Sequence, residues 1–522
     1  MNKHLTLLVC LCLLIVFAYG QKNIQLLGHL PYAQNLNDVW GYEDGLGNEY
    51  ALVGTVTGLS IVDASTPTNP TELFFVDGAT SVWRDIKTYN DYAYVSNETG
   101  EGILIVDLSA LPASIDTTLF TADSLNLQTI HNLFIDENGI LYVFGSNVGG
   151  GGALMFDLNT NPENPDLVGN YGISYIHDGY VRNDTMWSSE IYEGWLAGVD
   201  VTDKSNPSRF ATRPTPNSFT HNNWMSDDGN YMFTTDEKTG SFVAAYDIID
   251  VNNIKEVGRY QSQPGTGLIP HNTFYLNQYL VTSYYKNGVT ITDASRVSNL
   301  VEVANFDTSP FISADGFSGC WGVYPFTNSG NLFATDIEEG LFILSPTYVD
   351  ACYLEGNVTE TFSGSNLNGV QAEIIGTNGI AATNLLGDYK TGASDTGAYV
   401  VRFVKDGCFS KYVTGVELYT DSVITLNVQL TCPPVSIGDN EVPTNYFYAS
   451  PSIFSNQTTL HYSVSNSEAE IFIYNQAGKE VLQLQVNDGE GAVELSAPFA
   501  KGIYYGKIYS KNLQLDCQIV KQ

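Results

Sequence analysis

Basic residues are scarce in this chain. Only 22 of its 522 residues are Lys or Arg, against 57 Asp or Glu, giving a formal net charge of −35. No basic cluster occurs anywhere along it, which argues against nucleic acid and anionic lipid as partners. The acidity either keeps an exported protein soluble or serves divalent-cation binding at a charged surface. Neither an EF-hand loop nor an Asp-x-Asp-x-Asp run is present to favour the second. Cysteine is also sparse, at seven residues with no Cys-x-x-Cys pair, which argues against structural zinc. Catalytic signatures are missing: there is no Gly-x-Ser-x-Gly elbow, no His-Glu-x-x-His pair, and no Ser or Cys that the sequence sets beside a His. The glycine run Gly149 to Gly152 opens no helix, so it reads as a flexible loop between strands and not as a phosphate cradle. After Phe17 no stretch is apolar for long enough to span a bilayer.

The N-terminus has the form of a cleaved signal peptide. Lys3 and His4 precede the apolar run Leu5 to Phe17, and Ala18-Tyr19-Gly20 offers small residues to a signal peptidase, so residues 1–20 are expected to be removed. Cys10 and Cys12 follow Val9 and Leu11, where a lipobox needs Gly or Ala, so lipidation is not expected. Five cysteines lie beyond this segment: Cys320, Cys352, Cys408, Cys432 and Cys517. An exported protein is free to form disulfides, and the odd count leaves at least one unpaired. Cys352 with Cys432, or either with Cys408, are open pairings.

Between Gln21 and Pro346 one phrase returns seven times: a glycine, about four mostly apolar residues and an aspartate. Examples are Gly58-Leu59-Ser60-Ile61-Val62-Asp63, Gly102-Ile103-Leu104-Ile105-Val106-Asp107 and Gly288-Val289-Thr290-Ile291-Thr292-Asp293. The terminal residues Asp63, Asp107, Asp157, Asp200, Asp247, Asp293 and Ser345 stand 43 to 52 residues apart. That period is the length of a four-stranded propeller blade. Proline-bearing turns such as Ser65 to Pro70, Asn161 to Pro165 and Ser205 to Pro207 stop the strands. One repeat could not cover its own apolar faces, but seven packed radially can. The expected fold class is therefore all-β, with a seven-bladed β-propeller over residues 21–348.

Four histidines recur in register, as His131-Asn132, His177-Asp178, His221-Asn222 and His271-Asn272. Each precedes an expected innermost strand, so the imidazoles are expected to gather at one mouth of the central channel. Arg84-Asp85 holds the same place in the second blade, and Trp40 and Trp321 are expected to supply an aromatic rim where the ring closes. Converging imidazoles suit a divalent metal or an anionic ligand, with Asp85 and Asp178 as outer acceptors. They equally suit a repeated latch in which each side chain hydrogen-bonds backbone at a blade junction. The four tryptophans Trp40, Trp83, Trp224 and Trp321 fit either packing between blades or sugar stacking.

Trp83-Arg84-Asp85-Ile86-Lys87, Glu49 to Gly54, Pro270-His271-Asn272 and Asp336 to Phe342 closely resemble the choice-of-anchor B family, whose repeats are termed LVIVD repeats. The likeness covers about residues 24 to 347. It implies a secreted or surface β-propeller and defines no reaction. Residues 349–432 contain alternating strands with Gly-bearing turns and the string Thr396-Gly397-Ala398-Tyr399, and they resemble the carboxypeptidase regulatory-like domain. This is a prealbumin-type β-sandwich used as a spacer, which carries no peptidase residues. Residues 433–444, rich in proline at their start, read as a linker. Residues 445–522, with Ile471 to Val481 and Lys501-Gly502-Ile503-Tyr504-Tyr505, resemble the type A sorting domain of the type IX secretion system. Ser450-Pro451-Ser452 stands where that family has Asn-Pro. The resemblance implies a Bacteroidetes-type cell, the type IX machinery as a partner, removal of the tail, and a protein attached to the outer surface or released. The reading is a surface-displayed binding or adhesion protein, with a glycan or protein ligand. The alternative is a metal-dependent hydrolase or lyase centred on the four histidines.

Overall fold

The computed structural model describes residues 21–122, 124–310, 316–432, 445–464, 469–486, 489–496, 499–510 and 513–522. The expected signal peptide, residues 1–20, and the expected linker, residues 433–444, lie outside them. The described chain is all-β, and its seven leading sheets are the blades of a propeller. The first blade runs outward through Leu36–Glu43, Glu49–Thr55, Gly58–Asp63 and Thr71–Asp77. The next five follow in the same order, with innermost strands at Ile86–Tyr89, Asn132–Ile135, Asp178–Arg182, Thr220–Met225 and Thr273–Leu276. The seventh uses Cys320–Tyr324, Leu332–Asp336 and Gly340–Pro346, and takes its outermost strand from the N-terminal side, where Ile24–Leu30 pairs antiparallel with Gly340–Pro346. Gln21–Lys22 adds a short fifth strand to the sixth blade by pairing with Val301–Phe306.

The propeller has no single core. Apolar clusters fill each junction between consecutive blades, as where Leu59 and Ile61 meet Ile86 and Val95, or Tyr94 and Ile105 meet Leu133 and Val143. The junction of the seventh blade with the first is filled in the same way, by Phe333, Leu341 and Ile343 against Leu36, Val39 and Val53. Each inner strand is therefore buried on both faces. That explains why the repeated phrase is continuously apolar where a half-buried strand would alternate.

The aspartate of the phrase is structural. At the end of the third strand in the first six blades its Oδ1 accepts the backbone N–H two residues on: Ser65 for Asp63, Ser109 for Asp107, Asn159 for Asp157, Thr202 for Asp200, Ile249 for Asp247 and Ser295 for Asp293, all at 2.8 to 3.0 Å. This Asx turn starts the reversal into the outermost strand. The glycine run forms a short 3-10 turn, Gly149–Gly151, with φ of +64°, +75° and +71° at three successive residues. Only glycine adopts that sequence without strain.

The chain forms two compact units. The first comprises the residues up to Thr359, Ser365–Arg402 and Thr414–Val428, and the second Glu360–Gly364, Phe403–Val413 and Gln429–Gln522. Beyond the propeller, the first unit contains Cys352–Glu360, which pairs antiparallel with Asp388–Ala393 and parallel with Ser422–Thr425. In the second unit a three-stranded sheet, Tyr446–Ser450, Thr458–Val464 and Gly489–Leu495, accompanies a five-stranded one. The two share a core of Phe447, Leu460, Ile471, Ile473, Ile508 and Ile519. Of the open cysteine pairings, Cys408–Cys432 forms the disulfide, while Cys320, Cys352 and Cys517 carry none. Among the described residues no helix is long and apolar enough to cross a membrane.

Candidate functional site: the mouth of the propeller channel

Aligned by repeat, the innermost strands present three stacked levels. The first holds Asn37, Arg84, His131, His177, His221, His271 and Trp321. The next holds Asp38, Asp85, Asn132, Asp178, Asn222, Asn272 and Gly322. Two residues further on stand Trp40, Lys87, Phe134, Tyr180, Trp224, Phe274 and Tyr324. The pairing between innermost and second strands slips at Leu36/Val39, Thr220/Asn222 and Cys320/Gly322, so Asn37-Asp38, His221 and Trp321 sit in bulges. A bulge breaks the strict two-residue alternation and lets neighbouring side chains share one direction.

The four histidines come together as a curved row. Ring centroids of His131 and His177 are 3.9 Å apart, those of His177 and His221 4.2 Å, and those of His221 and His271 4.5 Å. Trp321 continues the row 4.9 Å beyond His271. Trp40 does not join it. It lies in the third level, with its ring 4.9 Å from Tyr324 and 6.3 Å from Phe274, and Trp224 stacks 5.5 Å from Phe326. These aromatic rings fill the channel and close it below the polar levels. The place of Trp40 at the mouth is taken by Asn37, because three further strand residues carry the side chain past the polar levels and into the plug.

The latch and the ligand set use different nitrogens. His271 Nδ1 donates to the Trp321 carbonyl at 2.5 Å and His177 Nδ1 to the His221 carbonyl at 3.3 Å. A carbonyl only accepts, so these bonds put the proton on Nδ1 and leave the Nε2 lone pair free. Ser96, Thr235 and Thr335 hydroxyls donate to the carbonyls of His131, His271 and Asn37, which ties the second blade to the third, the fifth to the sixth and the seventh to the first at the same level. Arg84 spends its guanidinium on the carbonyls of Thr55 and Ala79 and is a latch. The expected outer acceptors do not touch the imidazoles. Asp85 accepts from Lys87 Nζ and the Leu133 N–H, and Asp178 from the Gly179 N–H and Asn222 Nδ2, because both side chains sit one level below the rings.

One residue that sequence reading missed completes a metal-ligand geometry. Glu237, at the end of the second strand of the fifth blade, has Oε2 3.7 Å from His221 Nε2 and Oε1 3.9 Å from His271 Nε2. Ligand atoms of the three residues all lie within 4.8 Å of one another. Tyr285 OH donates to Glu237 Oε1 at 2.5 Å and fixes the carboxylate. Burial drives His177 and His221 well below the usual imidazole range and His271 to about 3, while it pushes Glu237 up to about 7. His177, His221 and His271 are therefore neutral at neutral pH. Neutral imidazoles and a carboxylate are the donors that divalent transition metals take, and all three gain when a cation enters.

The signal for Glu237 was a second register. Ser96-Asn97-Glu98 and Thr235-Asp236-Glu237 end equivalent strands in two blades. Counting one repeat back from Arg84 reaches Asn37 in the same way. On the mouth side, Trp83, Tyr192 and Phe317 are 42, 75 and 56% exposed. Trp83 lies 6.3 Å from Trp321, Tyr192 4.9 Å from Tyr175, and Phe317 5.5 Å from Tyr285.

With this geometry in place, comparison by sequence adds a repeat type. An LVIVD repeat model matches residues 45–78 and 83–115, which hold three strands of the first blade and three of the second. The chain carries LVIVD repeats. These are repeats associated with β-propellers, in keeping with the sheets observed. No curated protein matches the chain.

Proposed function

We propose that this chain is an exported, non-catalytic binding protein whose propeller holds a divalent transition-metal ion at its channel mouth on His221, His271 and Glu237. The observation that carries the reading is the convergence of those three donor groups within 4.8 Å, with His271 oriented through its Nδ1 bond to a backbone carbonyl. Such backbone bonds set the tautomer of metal-ligating histidines. The free volume beside the rings, about 30 Å³, is too small for a substrate. Recognition of a glycan or protein then falls to the exposed aromatics around the mouth, Trp83, Tyr192 and Phe317.

Export is supported by the leader-like residues 1–20 and by the likeness of residues 445–522 to type IX sorting domains. The choice-of-anchor B likeness of the propeller and the spacer-like residues 349–432 fit the same account, a surface-displayed or released protein of a Bacteroidetes-type cell. A second reading, a metal-dependent hydrolase or lyase, has one observation in its favour: three donors leave a tetrahedral metal one position for water.

The test is a zinc titration of the full exported chain after chelator treatment, followed by calorimetry. One ion per chain is expected, and uptake is expected to disappear in His271→Ala and in His221→Ala. Absence of stoichiometric uptake by the unaltered chain overturns the metal reading. Zinc-dependent turnover of esters or glycosides by the loaded protein overturns the non-catalytic one. For export, removal of residues 445–522 is expected to trap the chain within the cell envelope, and normal secretion of the shortened chain overturns the sorting assignment.

A further inference from the structure

Directly below the imidazoles, six blades contribute an oxygen-bearing side chain and the seventh contributes none. Asp38, Asp85, Asn132, Asp178, Asn222 and Asn272 are each buried, at 9% exposure or less. Three of them are accounted for. Asp85 holds Lys87 Nζ and the Leu133 N–H, Asp178 holds Gly179 N–H and Asn222 Nδ2, and Asn222 Oδ1 accepts the Thr273 N–H at 2.9 Å. The other three present acceptors without donors: Asp38 Oδ1, Asn132 Oδ1 and Asn272 Oδ1 are buried and make no hydrogen bond. Asp38, Asn132 and Asn272 line the same small cavity, of about 30 Å³.

The seventh position explains how the cavity is kept. A Cβ on Gly322 would come within 2.3 Å of Asp38 Oδ1 and 2.9 Å of Thr335 Oγ1, so glycine there leaves the Asp38 carboxylate its place. Charge points the same way. The level holds three carboxyl groups: burial and the neighbouring Asp85 push Asp38 well up, burial pushes Asp178 up to about 6, and the one cation bonded to the level is Lys87, which pairs with Asp85 at 2.6 Å and lies 4.3 Å from the Trp40 ring centroid. Arg84 is engaged by backbone carbonyls. Buried acceptors that lack donors, beside carboxyl groups that outnumber the ammonium, are what a bound cation resolves.

The geometry points to a second ion site on the propeller axis: a hard divalent cation of the calcium class, held by the unpartnered oxygens of Asp38, Asn132 and Asn272, with water filling its remaining positions. Oxygen-only donors that mix carboxylate with carboxamide, spread round a ring, suit the six to eight ligands and flexible geometry of calcium better than the strict octahedron of magnesium. The aromatic plug closes the site below, so the ion enters past the imidazoles. The site borders the same cavity as His221 and His271 but differs in chemistry from the His221, His271 and Glu237 set, which offers nitrogen ligands and selects a different class of metal.

Calcium chloride titrated by calorimetry into the full chain after chelator treatment tests it, with terbium luminescence excited through the neighbouring tryptophans as a second readout. One calcium per chain is expected. Asp38→Asn is expected to weaken it by at least about 10-fold and Asn132→Asp to tighten it by about 3-fold or more, since affinity at such sites follows ligand charge. Asn132→Asp keeps the proposal falsifiable where Asp38→Asn does not fold. His271→Ala, which removes the zinc ligand, is expected to bind calcium as the unaltered chain does. The proposal is overturned by failure of the unaltered chain to take up calcium at about 10 mM, well above the range of weak extracellular sites. It is equally overturned by Asn132→Asp binding no tighter, by Asp38→Asn binding unchanged, or by loss of calcium together with zinc in His271→Ala, which would mean one shared site.

Discussion

Glu98 and Glu237 stand at the same station of the repeat, after Ser96-Asn97 in the second blade and Thr235-Asp236 in the fifth. Glu98 faces one imidazole and contacts His131 through Nδ1. Glu237 faces two, through Nε2, and His271 Nδ1 donates a hydrogen bond to the Trp321 carbonyl on the far side of its ring. Their surroundings differ too, the Glu98 side chain being 28% exposed and that of Glu237 16%. One register therefore yields a side-chain pair in one arc and a three-donor ligand set in another. What separates them is the hydrogen bond on the far side of the ring.

The sharpest way to break this comparison is to exchange the two arcs as zinc ligands. His271→Ala is expected to lower zinc affinity by at least about 100-fold, beyond the 10- to 100-fold typical of outer-shell changes, whereas His131→Ala is expected to leave it within about 3-fold. Calorimetry on both variants reads the contrast, and equal losses would show that the row binds as a unit.

A second contrast is in stability. Glu237 has a folded pKa of about 7 against an ordinary 4.5, so folding favours its protonated form, and its contribution is lost as pH rises from about 4.5 through 7. Glu237→Gln is thus expected to stabilise the metal-free chain at pH 8 by about 1 to 3 kcal/mol, at about 1.4 kcal/mol per pKa unit, while it weakens zinc binding. Chemical denaturation with and without chelator measures both. The histidines slope the other way. His177, His221 and His271 have folded values below the ordinary 6.5, so the stability they give is whole above pH 6.5 and is lost as pH falls from there toward about 3. Replacing His177 with Gln is expected to flatten that acid limb in a pH series of melting curves.

Gly322→Ala puts a methyl group against the Asp38 carboxylate. It is expected to cost about 1 to 3 kcal/mol by denaturant titration, the range for overpacking a tight site. The smallest effect belongs to the exposed arc: Glu98→Gln is expected to change stability by less than about 1 kcal/mol, as for partly exposed ion pairs, and to leave zinc binding intact.

Much of the propeller was legible because its signal is repeated. The apolar phrase reports burial on both faces, and its aspartate reports a turn that recurs six times. The His-Asn and His-Asp pairs kept the same interval, so their gathering at one level followed from the period. Trp40 was misplaced because the first blade offered no histidine to align, and a nearby aromatic was taken for its counterpart in place of Asn37. Glu237 was invisible for a different reason. It follows a second strand, between two blades' histidines, and the register it shares with Glu98 appears in two blades, not in four like the histidines. The outer acceptors were misjudged by a single residue, since Asp85 and Asp178 adjoin the ring level in sequence but sit below it in space.

The sequence alone determined the blade count, the apolar filling of every junction and the level at which four imidazoles stand, because a fixed period carries equivalent residues to equivalent places about an axis. Tertiary structure alone decided which ring nitrogen is free, which carboxylate meets it, and which oxygens beneath are left without donors. Those outcomes depend on hydrogen bonds between blades some 50 residues apart in the chain, where bulges and backbone carbonyls set directions that no residue type encodes.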